Sequence, residues 1–253
     1  MSILRVSFIW LCLISSAFAE ETYEVWGYAV HTPDTTRSMV NPFFKHLSDE
    51  VGAKFIIRAS NDTANLLERC KTGVPAIIVA SMSVIKRVLE QCQYVNIAVM
   101  YQAGVLLGRD DEVAPGIDEL RVIALLEDQD LSAVVRKELA QISNKFQIVT
   151  YKNYFELMNN LKEDNIQAFI AAENANSAVR RRLSDSWRVI HTFDQKASAG
   201  VLVSTSLPSE LRARIASVFL ANNEISKKVF QKELNLGPFV TPPNIHGAVR
   251  PTD

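Results

Sequence analysis

Residues 24–88 read EVWGYAVHTPDTTRSMVNPFFKHLSDEVGAKFIIRASNDTANLLERCKTGVPAIIVASMSVIKRV, and this stretch decides the fold. Its pattern is strand, polar loop, helix, strand, helix, strand, polar loop, helix. Residues 23–30 alternate as a first strand. The spacing of Phe43, Phe44, Leu47 and Val51 predicts a helix. Asn41 is its expected cap, Pro42 its first helical residue, where a missing N–H costs nothing, and Gly52 its exit. Residues 54–58 read as a second strand. Ser60, Asn61 or Asp62 caps a helix that carries Leu66 and Leu67 and ends near Cys70, with Gly73 beyond. Residues 74–80 are a continuous apolar run, as in a strand buried on both faces of a parallel sheet. Residues 83–91 return to helix. Short apolar strands alternating with helices mean an α/β architecture.

The two polar loops are His31-Thr32-Pro33-Asp34-Thr35-Thr36 and Ser81-Met82-Ser83. Both stand where a strand hands over to a helix. Helix N-termini carry unpaired N–H donors and partial positive charge, so hydroxyl and amide groups gathered there suit a small polar ligand.

Upstream, Arg5 precedes the apolar run 8–14, and Ala17-Phe18-Ala19 supplies small residues at the positions a signal peptidase inspects. This is the pattern of a secretory signal cleaved after Ala19, and the apolar run is short for a membrane span. Cys12 follows Leu11 and not the small residue of a lipid-attachment site. Removing the signal leaves 234 residues with 26 basic and 28 acidic side chains, enough for one large or two medium lobes. This balance gives no electrostatic reason to expect nucleic acid as a partner.

Downstream, strands are expected at 95–100, 101–108, 122–126, 146–150, 167–171, 187–193 and 199–204. Helices are expected at 131–141, 154–161 and 176–183, with another opened by Pro208 and carrying Leu211, Ile215 and Phe219. Arg180, Arg181 and Arg182 read as a solvated face or, alternatively, a partner site. From Gly237 onward the prolines suggest an irregular tail. Cys70 and Cys92 each close an expected helix; in an oxidising compartment they form a disulfide or remain two buried thiols.

The order of elements resembles the periplasmic substrate-binding proteins of the phosphate, phosphite and phosphonate ABC transporter group. The residues that carry the resemblance are Tyr28-Ala29-Val30 before a Thr-Pro loop, Asn41-Pro42-Phe43 with Leu47 and Glu50-Val51-Gly52, and Asn65-Leu66-Leu67 leading to Thr72-Gly73. Residues 77–81 before a helix, 116–124, and 199–212 with Leu207-Pro208 continue the match. The resemblance spans roughly residues 23–222. It implies a two-lobed type II periplasmic-binding fold with a central cleft, with lobe one at 20–104 plus 199–253 and lobe two at 105–198. Crossing hinge strands would lie near 102–107 and 196–201. It further implies a monomer in the periplasm that closes on a small ligand and delivers it to an ABC permease, with no cofactor and no catalysis.

On these residues the ligand contacts expected in lobe one are Tyr28, His31, Thr32, Ser81, Met82, Ser83 and Tyr101. Lobe two would contribute Asp130, Ser132 and Glu173. Here the chain departs from the group, whose phosphonate and phosphite members carry a loop rich in Ser, Thr and Gly at the first strand–helix junction of lobe two. This chain has Glu127-Asp128-Gln129-Asp130-Leu131-Ser132 instead. Three carboxylates repel a phosphate dianion and suit a cationic or zwitterionic ligand, unless they point outward or, as for Asp130, serve the helix dipole. Two further readings stay open. One is a ligand sensor docked on a membrane signalling protein; the other is a metal-handling protein or enzyme, for which His31 with Met82 and an acid would be one site. The four histidines, at 31, 46, 191 and 246, lack metal-ligand spacing. Mass spectrometry of the exported protein is expected to find Glu20 at the N-terminus; a retained Met1 would refute the cleavage.

Overall fold

Lys54–Ala59 lies parallel to Thr22–Gly27 with Gly27 opposite Ala59, and Ile77–Ser81 lies parallel on the other side with Gly27 opposite Val79. This parallel trio founds the first of two sheets. The computed structural model describes residues 21–27, 33–60, 62–109, 116–126, 129–142, 145–151, 154–161, 166–172, 187–234 and 237–243. In chain order these form β1 (Thr22–Gly27), α1 (Pro33–Val51), β2 (Lys54–Ala59), α2 (Thr63–Cys70), β3 (Ile77–Ser81), α3 (Met82–Gln91), β4 (Tyr94–Gln102) and β5 (Gly104–Arg109). There follow β6 (Val122–Leu126), α4 (Gln129–Ile142), β7 (Gln147–Tyr151), α5 (Tyr154–Asn160), β8 (Ala168–Ala172), β9 (Trp187–Thr192) and β10 (Lys196–Ser204). The chain continues with α6 (Ser209–Leu220), the short α7 (Glu224–Ser226), a π-helical stretch (Lys227–Glu233) and β11 (Phe239–Val240).

The first sheet has the order β11-β4-β10-β3-β1-β2 and the second β7-β6-β8-β5-β9. β10 runs antiparallel to both β3 and β4, so the apolar β3 has a parallel neighbour on one side only. In the second sheet β6 is parallel to β7 and β8, while β5 is antiparallel to β8 and β9.

Each sheet is covered on both faces, and strand periodicity assigns neighbouring residues to opposite cores. Ile77 joins Phe43, Phe44, Leu47, Phe219 and Phe230 under α1 and α6, whereas Ile78 joins Leu66, Ile85 and Val88 under α2 and α3. In the second sheet Leu107 and Phe169 pack with Leu157 of α5, and Leu106 and Ile170 with Val135 and Leu139 of α4. No described helix is long and apolar enough to cross a membrane.

The first helix differs from expectation. It begins at Pro33, not Asn41, and runs through Pro42. Thr36 and Val40 are buried on the same face as Phe43, Phe44, Leu47 and Val51, so the core extends the helix upstream by two turns. A proline inside a helix removes one hydrogen bond and crowds the carbonyl four residues back, costing about 3 kcal/mol. Pro42 and Ser38 are both exposed, which leaves the disturbed backbone to water, and Pro33 takes the first helical position. Helical turns from Glu224 to Glu233, not expected from the sequence, bury Val229 and Phe230. The segment from Gly237, expected as an irregular tail, instead contains β11, which pairs Phe239 with Met100 and Val240 with Val99.

Polar ties fix α2 and α3 against the sheet. Asp62 caps α2 by accepting the Asn65 N–H at 2.9 Å. The Glu24 carboxylate on β1 pairs with Arg58 of β2 and, at 2.7 Å, with Arg69 of α2. Tyr94, buried beneath α2, donates its hydroxyl to the Pro75 carbonyl, and burial pushes its phenol above the ordinary value of 10.0. Cys70 at the end of α2 and Cys92 just after α3 are disulfide-bonded, with Cα atoms 5.7 Å apart. The bond closes a loop with a sequence separation of 22, and loop-closure entropy for that length is worth about 3 kcal/mol. The double variant Cys70→Ser, Cys92→Ser is therefore expected to lose about 3 kcal/mol in urea unfolding, with the far-ultraviolet spectrum retained; an unchanged midpoint would contradict this.

Candidate functional site

The strand registers converge on one region. In the first sheet Ser81, ending β3, stands opposite Ala199, which stands opposite Met100; Ala197 faces Tyr101, and Lys196 faces Gln102. The C-terminal ends of β1, β2, β3 and β4 thus share one edge with the start of β10. In the second sheet Gly104, opening β5, faces Ala172 at the end of β8, and Val105 faces Thr192 at the end of β9. Leu126 and Tyr151, ending β6 and β7, pair with each other toward that same end.

The two edges are joined by two short crossings, Ala103 between β4 and β5, and residues 193–195 between β9 and β10. The Phe193 N–H donates to the Gly104 carbonyl at 2.8 Å, tying the crossings together. Open α/β sheets bind ligands outside the carboxyl ends of their strands, and here two such edges meet. Helix α4, which follows β6, comes within 8 Å between Cα atoms of both α3 and β10. Two helices that follow strand ends in different sheets are therefore neighbours.

Ser81 is the N-cap of α3, yet its side chain makes no capping bond; its hydroxyl lies 3.0 Å from that of Ser83. Both serines are half-buried. Met82 is buried with Trp26, Leu66 and Ile85, so its thioether is engaged in core packing and its polar contribution to the turn is the backbone. Tyr101 is half-buried near the end of β4, two residues before the crossing at Ala103. Asp130 and Ser132 fall in the first turns of α4. Tyr28, His31, Thr32 and Glu173 lie outside the described residues, as do Glu127, Asp128 and the triple arginine.

His46 hydrogen-bonds Asn223 at 2.8 Å and His191 stacks edge-on against Phe193 at 4.7 Å, so both have structural partners. Two surface grooves among the described residues lie elsewhere: one of about 410 Å³ along Arg37, Asn41 and Phe55–Arg58, and one of about 520 Å³ along Asp62, Asn65, Glu68, Arg87 and Gln91.

The crossing expected near 196–201 lies a few residues earlier, at 193–195, because residues 196–204 belong to the first sheet as β10; Ser198 within that strand carries no sequence signal of its own. The pairing of β10 with β4 slips between Ala197 and Ala199, leaving Ser198 as a bulge, and its hydroxyl donates to the Met100 carbonyl at 3.3 Å. Bulges re-aim side chains beside functional sites, but a bulge is a property of pairing and leaves no signal in one strand's composition.

This architecture, two α/β sheets joined by paired crossings at the carboxyl ends of their strands, is that of the two-lobed periplasmic binding proteins. Residues 28–243 match the family described as ABC transporter, phosphonate, periplasmic substrate-binding protein, and the chain belongs to that family. Among solved structures it is similar to PhnD1 from Prochlorococcus marinus in complex with methylphosphonate, with TM-score 0.66 and 11% identity over 89% of this chain and 94% of that one. It is also similar to a binding protein component of an ABC phosphonate transporter from Pseudomonas aeruginosa, with TM-score 0.63 and 10% identity over 89% and 82%. The periplasmic VFT2 domain of Bordetella pertussis BvgS gives TM-score 0.56 and 15% identity over 83% and 92%. No curated protein sequence matches the chain.

A capping serine replaced by alanine ordinarily costs about 1 kcal/mol. Because Ser81 does not cap, Ser81→Ala is expected to cost less than about 0.5 kcal/mol in ligand-free unfolding; a full capping loss would show that its hydroxyl serves the helix.

Proposed function

We propose that this chain, exported through a signal cleaved after Ala19, captures a small polar ligand between two lobes and hands it to an ABC permease. Lobe one comprises about residues 20–104 and 199–253, and lobe two about 105–198, with Gly104 pairing in the second sheet and Lys196 and Ala197 in the first at the boundaries. The convergence of both sheets' carboxyl ends on the crossings carries this reading, together with the contact of α4 with α3 and β10. Hinge closure about two crossing strands is the motion such an arrangement allows.

The ligand is gripped from lobe one by the Ser81–Ser83 turn and Tyr101, with Tyr28, His31 and Thr32 following β1. Lobe two supplies the first turn of α4, where Asp130 and Ser132 stand, and Glu173 after β8. The Ser81 hydroxyl makes no capping bond to α3, which supports a role in binding. The site works by binding and release, and none of its residues is assigned a covalent step.

The family points to phosphonates. The carboxylates at 127, 128 and 130 refine that class: each close pairing with a phosphorus dianion costs about 1–4 kcal/mol at aqueous to intermediate dielectric. An aminoalkylphosphonate, whose ammonium group offsets those charges, therefore suits the site better than inorganic phosphate or methylphosphonate.

A thermal-shift series with aminoalkylphosphonate, methylphosphonate, phosphate, amino acids and simple amines tests this. A ligand at a hundredfold excess over Kd stabilises by about 2.7 kcal/mol, or roughly 5–10 °C for a chain of this size. The aminoalkylphosphonate is expected to give the largest rise, and the combined Ser81→Ala, Ser83→Ala, Tyr101→Ala variant to abolish it. Equal stabilisation of that variant would reject the site, and a response to phosphate alone would reject the ligand class.

A further inference from the structure

The C-terminal segment 237–243 lies against the strand that leads into the first crossing. β4 is held along one side by β10, but on its other side its only described partner is β11, through Phe239 opposite Met100 and Val240 opposite Val99. These are the last residues of β4 before Tyr101, Gln102 and the crossing at Ala103. One step further, Gly237 backs onto Tyr101: a Cβ built there would stand 3.1 Å from the Tyr101 carbonyl oxygen and 3.4 Å from the Met100 Cγ. A side chain at 237 would force the segment or the end of β4 to give by a few tenths of an ångström, so glycine lets the two lie this close.

The segment is anchored independently of β4. The Phe239 ring, 2% exposed, meets Phe219 edge-on at 5.6 Å and Phe230 at 5.1 Å. Its carbonyl accepts from Asn222 Nδ2 at 3.3 Å, and Asn222 itself turns the chain out of α6 with φ of 46°. Val240 is 39% exposed, so the outer face of the strap meets solvent. A continuous line of contacts thus runs from the aromatic core of lobe one, through Phe239, to the end of β4.

We infer that residues 237–240 act as a strap that clamps β4 at Val99–Tyr101 and confines the pivot between the lobes to Gln102 and Ala103, so that Gly237 and Phe239 are positioning residues for closure. This rests on the two-lobe reading above. A clamped strand end cannot splay with the second sheet, which narrows the range of lobe separations available without ligand. Loosening it populates wider separations, and apparent affinity falls in proportion to the fraction that stays competent to bind.

The test is made on full-length, ligand-free protein carrying non-cysteine labels at exposed positions 87 on α3 and 137 on α4, so that the Cys70–Cys92 bond stays intact. Interlobe distances are compared among wild type, Gly237→Val, Phe239→Ala and, as a control in the separate core under α2 and α3, Leu66→Ala. The strap variants are expected to broaden the distribution toward longer separations, while the control lowers the unfolding midpoint and leaves the distribution unchanged. Unchanged distances in both folded strap variants, or equal broadening in the control, would overturn the inference. Because the measurement uses no ligand, an error in the ligand class does not affect it. A single fixed separation under all conditions, including added aminoalkylphosphonate, would instead count against hinge closure itself.

Discussion

The antiparallel ladder between β4 and β10 is the constraint on which the rest of the structure depends. These strands are the two whose ends leave the first sheet for the second, and they pair from Ser204 opposite Tyr94 to Lys196 opposite Gln102. Their central residues, Ala98 to Met100 and Val201 to Val203, are buried, so their register is held by packing on both faces and not by hydrogen bonds alone. The pairing brings together segments about a hundred residues apart in the chain. Once it is made, the intervening residues return to the place where they left, and the carboxyl ends of both sheets must meet there.

That geometry explains why polar side chains collect where they do. A strand that ends at the shared edge delivers its next residues into the space between lobes, and a helix that follows directly presents its N-terminal amides to the same space. β3 runs into α3 without a linker, which leaves Ser81 and Ser83 at the junction. Elsewhere the helices are tied down by contacts remote from the edge: the Cys70–Cys92 bond, the Glu24 pairs with Arg58 and Arg69, and the packing of Phe43, Phe219, Phe230 and Phe239. The helices are thus anchored away from the edge where the two sheets meet.

The α/β order was legible because period-two and period-3.6 patterns report which face of each element is buried, and β2, β6, α2 and α3 fall within two residues of expectation. The start of the first helix is not legible because Pro42 is a strong local breaker, and only the burial of Thr36 and Val40 against the sheet outweighs it. The turns after Asn223 give little local signal because Val229 and Phe230 are few apolar residues among many charged ones. β11 gives none because a two-residue strand has no periodicity at all. Of the candidate site, the serine pair is visible in the sequence as hydroxyls at a strand–helix junction. The Ser198 bulge and the Gly237 contact were not, since each is defined by what a distant segment does.

Taken alone, the chain's order of residues determined the local elements, the alternation that makes two α/β layers, and the cysteine pair able to cross-link, because each is encoded in neighbours or in short periodic spacing. Tertiary structure decided that Pro42 lies inside a helix, that Met82 is buried in the core under α2 and α3, and that β11 pairs with β4 just before the crossing at Ala103. Those outcomes depend on contacts between residues far apart in sequence, whose free energies exceed local preferences and leave no trace in any one segment.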